Sequence, residues 1–381
     1  MTPTVTIEEL RADPHPRYRK FRRDSPVVRC DELDAYLVCR WEDVRRVCTE
    51  SAQFTADQPD SFLTRFLGRN MLHSEGPTHR AARALVLPAF RTPPTDLTRA
   101  AREVWANLPR GVEIDLLGEF CGVLVSRALT GLLGLEEVVA DGRMTSWGRV
   151  LDEGAADFAG DTRVGERVAR VRADVLSVAR AAAERQFAVR PESVVGCLLA
   201  REEPVAPDEV ARTIEFMVLG GDSGPREGLG TVLALLATSG APVRDRLSHD
   251  TRTRRLFVEE ALRWECPIGA ITRRNRRETT VAGTTIPAGA TVLGVLSSAN
   301  RDETRWRQPD VFDPWRDEGP HLSFGAGAHG CVGAALTRHL ARALLDCLPA
   351  LETATILRPP EYRGWWFRGP DALPAVLPTA G

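Results

Sequence analysis

A cysteine set in a glycine-rich loop that runs straight into a helix-like stretch constrains this chain more than any other feature. The segment reads His321-Leu-Ser-Phe-Gly-Ala-Gly-Ala-His-Gly-Cys-Val-Gly-Ala-Ala-Leu-Thr-Arg. A helix N-terminus and free loop amides stabilise a thiolate and lower its pKa, which sets Cys331 apart chemically. Gly325, Gly327 and Gly333 remove side chains, so backbone can approach a flat group and donate N–H to sulfur. Phe324 is expected to pack beside the site and keep it dry. Three other readings compete. A phosphate cradle wants Gly-Lys-Ser/Thr, which is absent. A nucleophilic cysteine needs a base, and His329 two residues away is available for that role. The third is a glycine-rich helix start without chemistry.

Composition narrows the field. Of 381 residues, 43% are hydrophobic and 27% charged, the profile of an ordinary soluble globular protein. Lys+Arg 50 against Asp+Glu 52 argues against a surface built for nucleic-acid phosphates. The first thirty residues are studded with charge and hold no long apolar run, so neither a secretory signal nor a membrane-spanning helix is expected. Lys20 is the only lysine, which points to a GC-rich bacterial genome rather than to a function. The other cysteines (Cys30, Cys39, Cys48, Cys121, Cys197, Cys266, Cys347) form no CxxC pair and read as reduced cytoplasmic core filler.

No repeat, low-complexity segment or Ser/Gly-rich linker divides the chain. Residues 26–40 predict two short strands across an acidic turn, and Trp41–Cys48 a helix. Residues 54–70 predict a loop with a short helix. Helical patterns cover 98–108, 115–134, 164–188, 207–238 and 252–265. The β-branched alternation of 279–294 predicts a hairpin, and short strands are expected around Arg363-Gly-Trp-Trp-Phe-Arg-Gly-Pro in the tail. The expected fold is mainly α, a helical body with small peripheral β-sheets.

The spacing Phe-Gly-x-Gly-x-His-x-Cys-x-Gly resembles the haem-binding signature of the cytochrome P450 family, in which the cysteine thiolate is the proximal iron ligand. Further segments follow in the order of that family. Glu260 and Arg263 supply a Glu-x-x-Arg pair, and Pro309-Asp-Val-Phe-Asp-Pro precedes Arg316. The resemblance gives Glu260, Arg263 and Arg316 a structural role, bracing the proximal side as a buried network. His79 and Arg83 match the family's His-x-x-x-Arg helix contact to the haem propionates. Counting back fourteen from Pro287 reaches Arg273, the place of another propionate arginine. His321, Phe324, Gly325, His329 and Gly333 complete the expected cofactor contacts around Cys331.

The match loosens on the distal helix, Phe216-Met-Val-Leu-Gly-Gly-Asp-Ser-Gly-Pro-Arg-Glu-Gly. The family's pattern is Ala/Gly-Gly-x-Asp/Glu-Thr, an acid and an alcohol that organise proton delivery. One register makes Asp222 the acid and Ser223 the alcohol. A gapless register puts Gly224 and Pro225 there and leaves no relay. The first is preferred because loops absorb insertions more easily than helices. In either register Pro225 removes a backbone donor, so a kink or opening is expected.

The resemblance spans essentially the whole chain and implies one haem-thiolate domain over residues 1–381, without a fused reductase. It implies haem b, a small-molecule substrate such as a secondary-metabolite intermediate, and electrons from ferredoxin and ferredoxin reductase. A cytoplasmic monomer that binds neither nucleic acid nor membrane is expected. Substrate is expected near Met217, Gly220, Gly221, Ile268, Ile271, Trp365 and Trp366, although the two tryptophans also read as hairpin packing. Two alternatives stand beside the monooxygenase. One is an atypical haem-thiolate enzyme that is peroxide-driven, dehydrating or isomerising. The other is a non-catalytic haem or ligand-binding protein.

Overall fold

The structure, a computed structural model, describes residues 3–91, 96–140, 142–157, 161–347, 351 and 353–379. It is mainly helical, with small sheets at its edge. The helices that position the site are α1 (His15–Asp24), α2 (Phe62–Leu67), α3 (Gly76–Arg91), α4 (Arg143–Ala156), α5 (Thr162–Ala183), α6 (Pro207–Gly221), α7 (Ser223–Thr238), α8 (Thr251–Trp264) and α9 (Ala334–Leu345). Each buries the stripe that its spacing dictates: Met144, Trp147 and Leu151 on α4, Val210, Ile214 and Val218 on α6, Leu229, Val232 and Leu236 on α7. These stripes meet in one large apolar cluster. Side-chain caps fix three of the starts, Ser61 accepting from the Thr64 amide, Asp161 from the Arg163 amide and Asp250 from the Arg252 amide. Among the described residues no helix is long and apolar enough to cross a membrane.

The main sheet has five strands, β1 (Val27–Cys30), β2 (Ala35–Val38), β3 (Phe54–Thr55), β4 (Ile271–Asn275) and β5 (Thr291–Gly294), in the order β1-β2-β5-β4-β3. The expected pair across 26–40 is β1 and β2. The single hairpin expected over 279–294 is divided instead. Thr279–Val281 pairs with Thr284–Ile286, whereas β5 leaves to pair in parallel with β2 and antiparallel with β4. Local alternation cannot report such long-range partners. In β4 the alternation buries Arg273 and Asn275, with Arg273 opposite Val292.

The expected helix over 207–238 is interrupted at Asp222. The Asp222 amide still bonds the Val218 carbonyl and the Arg226 amide the Asp222 carbonyl, but the carbonyls of Leu219, Gly220 and Gly221 have no helical partner. Pro225 has no N–H to offer Gly221, and the glycines on either side tolerate the opening.

Two buried charge networks hold the C-terminal end of α8. Glu260 takes a bidentate contact from Arg263 (2.6 and 2.9 Å) and a third bond from Arg316 Nε at 3.0 Å. Arg263 also donates to the carbonyls of Asn300 (2.6 Å) and Pro309 (3.0 Å). Just past α8, buried Glu265 meets His15 Nε2 of α1 at 3.2 Å and Arg368 Nε of the tail at 2.9 Å. Burial pushes the Glu265 carboxyl up, but His15, Arg301 and Arg368 outweigh it and hold the pKa at about 2.

Removing one partner of such a network strands the rest. Glu260→Ala is expected to lower the unfolding free energy by about 3–5 kcal/mol, read from the urea midpoint. Because the folded pKa of Glu265 lies below its ordinary 4.5, its stabilisation is complete above pH 4.5 and drains as pH falls toward 2. Denaturant unfolding of Glu265→Gln should therefore show a shallower loss of stability through that acid window than the parent.

Candidate active site around Cys331

The loop before α9 is pinned from below by side chains. Asn300 Oδ1 accepts from the Leu322 amide at 2.7 Å, and its Nδ2 donates to Ser323 Oγ at 2.8 Å. Ser323 Oγ in turn donates to the Leu262 carbonyl of α8 at 2.7 Å. Gly325 and Gly327 have φ of 63° and 72°, where glycine is favoured. At Gly327 a Cβ would also come within 3.2 Å of the Cys48 carbonyl oxygen. The loop closes with the Cys331 amide donating to the Phe324 carbonyl at 2.8 Å.

Cys331 is the one exposed cysteine of eight, six being buried and Cys197 intermediate. Neighbouring protein nevertheless desolvates its sulfur. Burial pushes its thiol up, opposed by the amides of Gly333 and Ala334 at the start of α9 and by the charges of Arg83 and Arg338. Phe324 lies between Arg338, whose guanidinium sits 4.4 Å from the ring centroid, and the His321 ring at 5.7 Å.

A basic group gathers beside this sulfur from three separate segments. His79 and Arg83 come from α3, Arg273 from β4 and His329 from the loop, with the His79 and His329 rings 4.2 Å apart. Arg273 is buried, donates to the Thr272 carbonyl at 2.8 Å, and has no ion-pair partner among the described residues. Burial, then Arg273 and His79, push the His329 pKa down to about 4. The His329 Nε2 lies 3.5 Å from Glu75 but is not aligned for a hydrogen bond. Glu75 accepts instead from the Ala56 amide at 2.8 Å.

His321 stands apart from this group. Its Nδ1 accepts from the Ser323 amide at 3.1 Å, and its Nε2 lies 3.3 Å from Glu259, which Arg338 grips at 2.6 and 2.8 Å. Glu75, Glu259 and Arg338 were not singled out in the sequence. Only their three-dimensional neighbours mark them, because an isolated carboxylate or arginine in a helical pattern carries no spacing signal.

On the distal side, Ile268 approaches the seam of α6 and α7, where a Cβ on Gly224 would sit 3.3 Å from Ile268 Cδ1. Gly220 faces open space and Ile271 is partly buried beside β5. The remaining expected contacts turn elsewhere. Met217 is buried in the main core, and Gly221 is pressed against Leu129. Trp365 belongs to the N-terminal core, its Nε1 donating to Tyr18 Oη at 2.7 Å, while Trp366 packs edge-on against it. The pair is thus engaged by the N-terminal core and by each other.

Asp222 and Ser223 also depart from expectation. Asp222 is fully buried, accepting from Thr145 Oγ1 of α4 at 2.8 Å and from Arg226 at 3.4 Å. Ser223 Oγ donates to Asp152 of α4. Both side chains thus engage α4, while Gly224 takes the Ile268 side. Their turn follows from the break at Asp222, which rotates this stretch against α4.

Comparison with known proteins agrees with this layout. The family model described as Cytochrome P450 matches residues 254–348, which include α8 and the Cys331 loop. Cytochrome P450 109 of Bacillus spizizenii is 30% identical over 370 residues, covering 90% of this chain and 87% of that protein. Erythromycin C-12 hydroxylase of Saccharopolyspora erythraea is 31% identical over 334 residues, covering 85% and 83%. Among solved structures, CalO2 superimposes with a TM-score of 0.83 at 25% identity, covering 97% of each chain. The tirandamycin C-bound monooxygenase TamI gives 0.83 at 23% identity, covering 98% of this chain and 100% of that one. With glutamate, arginines and cysteine in the family's order and relatives aligned over nearly their full length, the chain belongs to the cytochrome P450 family and is an oxidoreductase of the monooxygenase type.

Proposed function

We propose that the chain is a haem-thiolate monooxygenase that oxidises a small organic substrate, with the Cys331 thiolate as the group that would hold the iron of haem b. The observation that carries the reading is the setting of Cys331, an exposed sulfur at a helix start beside a converging basic group. The residues present fit the cofactor. Burying a guanidinium without a carboxylate is costly, and Arg273 is in that state. His329 Nε2 is likewise buried without a hydrogen-bond partner. The two propionates of haem are the carboxylates that such a group lacks.

In this reading Arg273, His79, Arg83 and His329 hold the propionates, and Phe324, Gly325 and Gly333 shape the loop around the sulfur. His321 acts one step away, holding Glu259 against Arg338. When bound, haem with a thiolate ligand supplies dioxygen activation, the sulfur's electron donation favouring O–O cleavage. The protein's part is to keep the thiolate charged, position the substrate and exclude water. The amides of Gly333 and Ala334 and the charges of Arg83 and Arg338 favour the first, against the burial that raises the thiol. Ile268 and Ile271 give the substrate side an apolar wall.

A secondary-metabolite intermediate is the substrate class we propose, consistent with relatives named for erythromycin and tirandamycin. A separate ferredoxin with its reductase is the proposed electron donor. A cleft of about 230 Å³ lined by Arg255, Glu259, Arg338 and Arg342 lies on the Cys331 side and suits an acidic partner.

One observation favours a second reading with the same cofactor. With Asp222 and Ser223 engaged by α4 and Gly224 on the Ile268 side, the acid–alcohol pair of the family is missing from that face. A peroxide-driven, dehydrating or isomerising enzyme needs no such pair. Turnover with dioxygen and redox partners, with peroxide, and with neither separates the readings.

Cys331→Ser is expected to abolish the thiolate-type absorption of the reduced carbon monoxide complex. Persistence of that band would remove the ligand assignment. Arg273→Leu, which takes away a charge-assisted contact to a propionate, should speed haem loss to an acceptor globin about tenfold or more. An unchanged rate would exclude Arg273 as a propionate partner.

A further inference from the structure

The helix that braces the Cys331 loop carries a second acid beside the first. Glu260 faces Arg263 and Arg316, whereas Glu259, just before it on α8, reaches across to α9. There Arg338 grips it with two bonds, 2.6 Å from Nε and 2.8 Å from Nη2. The guanidinium so held is the one stacked on Phe324, 4.4 Å from the ring centroid. Phe324 in turn accepts the Cys331 amide on its carbonyl at 2.8 Å. Carboxylate, guanidinium, ring and the residue that bears the sulfur thus follow one another in contact.

His321 backs the carboxylate from the other side. Its Nδ1 accepts from the Ser323 amide, so the neutral ring carries its proton on Nε2, which is buried 3.3 Å from Glu259 Oε2. Burial pushes the Glu259 carboxyl up, but Arg338 and His321 outweigh it and hold the pKa at about 2. Glu259 is therefore charged throughout the working range. Two cations act on Cys331, Arg83 and Arg338. Arg83 belongs to the group that lacks a carboxylate, whereas Arg338 arrives with one attached. A paired guanidinium exerts a smaller field at a distance than a free one, because the adjacent anion cancels part of it. Clasping α8 to α9 is a weak account of the pair. Its side chains are 34% and 25% exposed, and ion pairs so open to water add little stability.

We propose that Glu259 is a positioning residue that sets the reduction potential of the cofactor at Cys331, by holding Arg338 over Phe324 and cancelling part of its charge. This inference rests on the haem-thiolate reading. Reduction by one electron adds one negative charge beside Cys331, with no proton moved and no bond broken at these side chains. A nearby positive charge favours the reduced form and a nearby negative charge opposes it. Arg338 therefore raises the potential, Glu259 lowers it, and their grip on each other fixes the balance.

The test measures the potential of the haem-loaded protein by titration with dithionite and redox mediators, without turnover. Glu259→Gln keeps the shape and removes the anion. It is expected to favour the reduced form about tenfold, or about 59 mV for one electron. Arg338→Gln should shift the equilibrium by a similar factor the other way. Arg338→Lys, which keeps the charge, should recover more than half of that loss. The opposite signs are diagnostic, because losing a merely structural clasp would disturb the same loop in both variants and move the potential in one direction. Shifts of the same sign in Glu259→Gln and Arg338→Gln would overturn the proposal, as would no shift in either. Each arm is readable alone, so a raised potential in Arg338→Gln overturns it even if Glu259→Gln fails to hold haem. A wild-type protein without the thiolate-type carbon monoxide spectrum would instead sink the underlying reading.

Discussion

The bidentate grip of Arg263 on Glu260 is the contact on which the rest of the site depends. Arg316 completes the carboxylate's coordination, and the remaining donors of Arg263 reach the Asn300 carbonyl. Asn300 then fixes Leu322 and Ser323, the base of the Cys331 loop. One buried carboxylate thus governs the position of a sulfur through fewer than half a dozen bonds. Arginine suits both cationic places because its planar fork satisfies a carboxylate and backbone carbonyls at once, which a lysine ammonium cannot do in fixed geometry. The network is costly to bury and costlier to break, so its value lies in a single arrangement of the loop.

The basic group beside Cys331 obeys the opposite logic. Its members are held close without a matching carboxylate, apart from Glu75 at its edge. Such an arrangement is unfavourable on its own, and the fold imposes it by bringing α3, β4 and the loop together. A site short of negative charge is prepared for an anionic ligand, and ligand binding then feeds back on stability.

How much of this was legible in the sequence varies with distance along the chain. The Cys331 loop was readable because its chemistry sits within a dozen residues. Glu260 and Arg263 were readable as a helix pair, yet only the resemblance linked them to Arg316. Glu75, Glu259, Arg338 and Asp152 left no trace, since what defines each is a neighbour from another segment. The same blindness affected β5, whose partners are β2 and β4, and Trp365, whose indole is satisfied by Tyr18. The distal helix shows a subtler gap. Pro225 and its glycines announced a break, but the direction in which Asp222 and Ser223 turn depended on how closely α4 approaches at Gly148.

The placement of Arg273 on β4 makes strand alignment itself a parameter of ligand affinity. Its side chain reaches the basic group because Arg273 stands opposite Val292, in a strand where successive residues alternate faces. A slip by one residue would send Arg273 to the other face and offer Thr272 or Arg274 in its stead. Residues far from the sulfur that lock this alignment, such as Asn275 with its bonds to the Ile286 and Pro287 carbonyls, thereby help decide whether the cavity carries its charge. Sheet register here acts like a vernier, setting an electrostatic property in whole-residue steps.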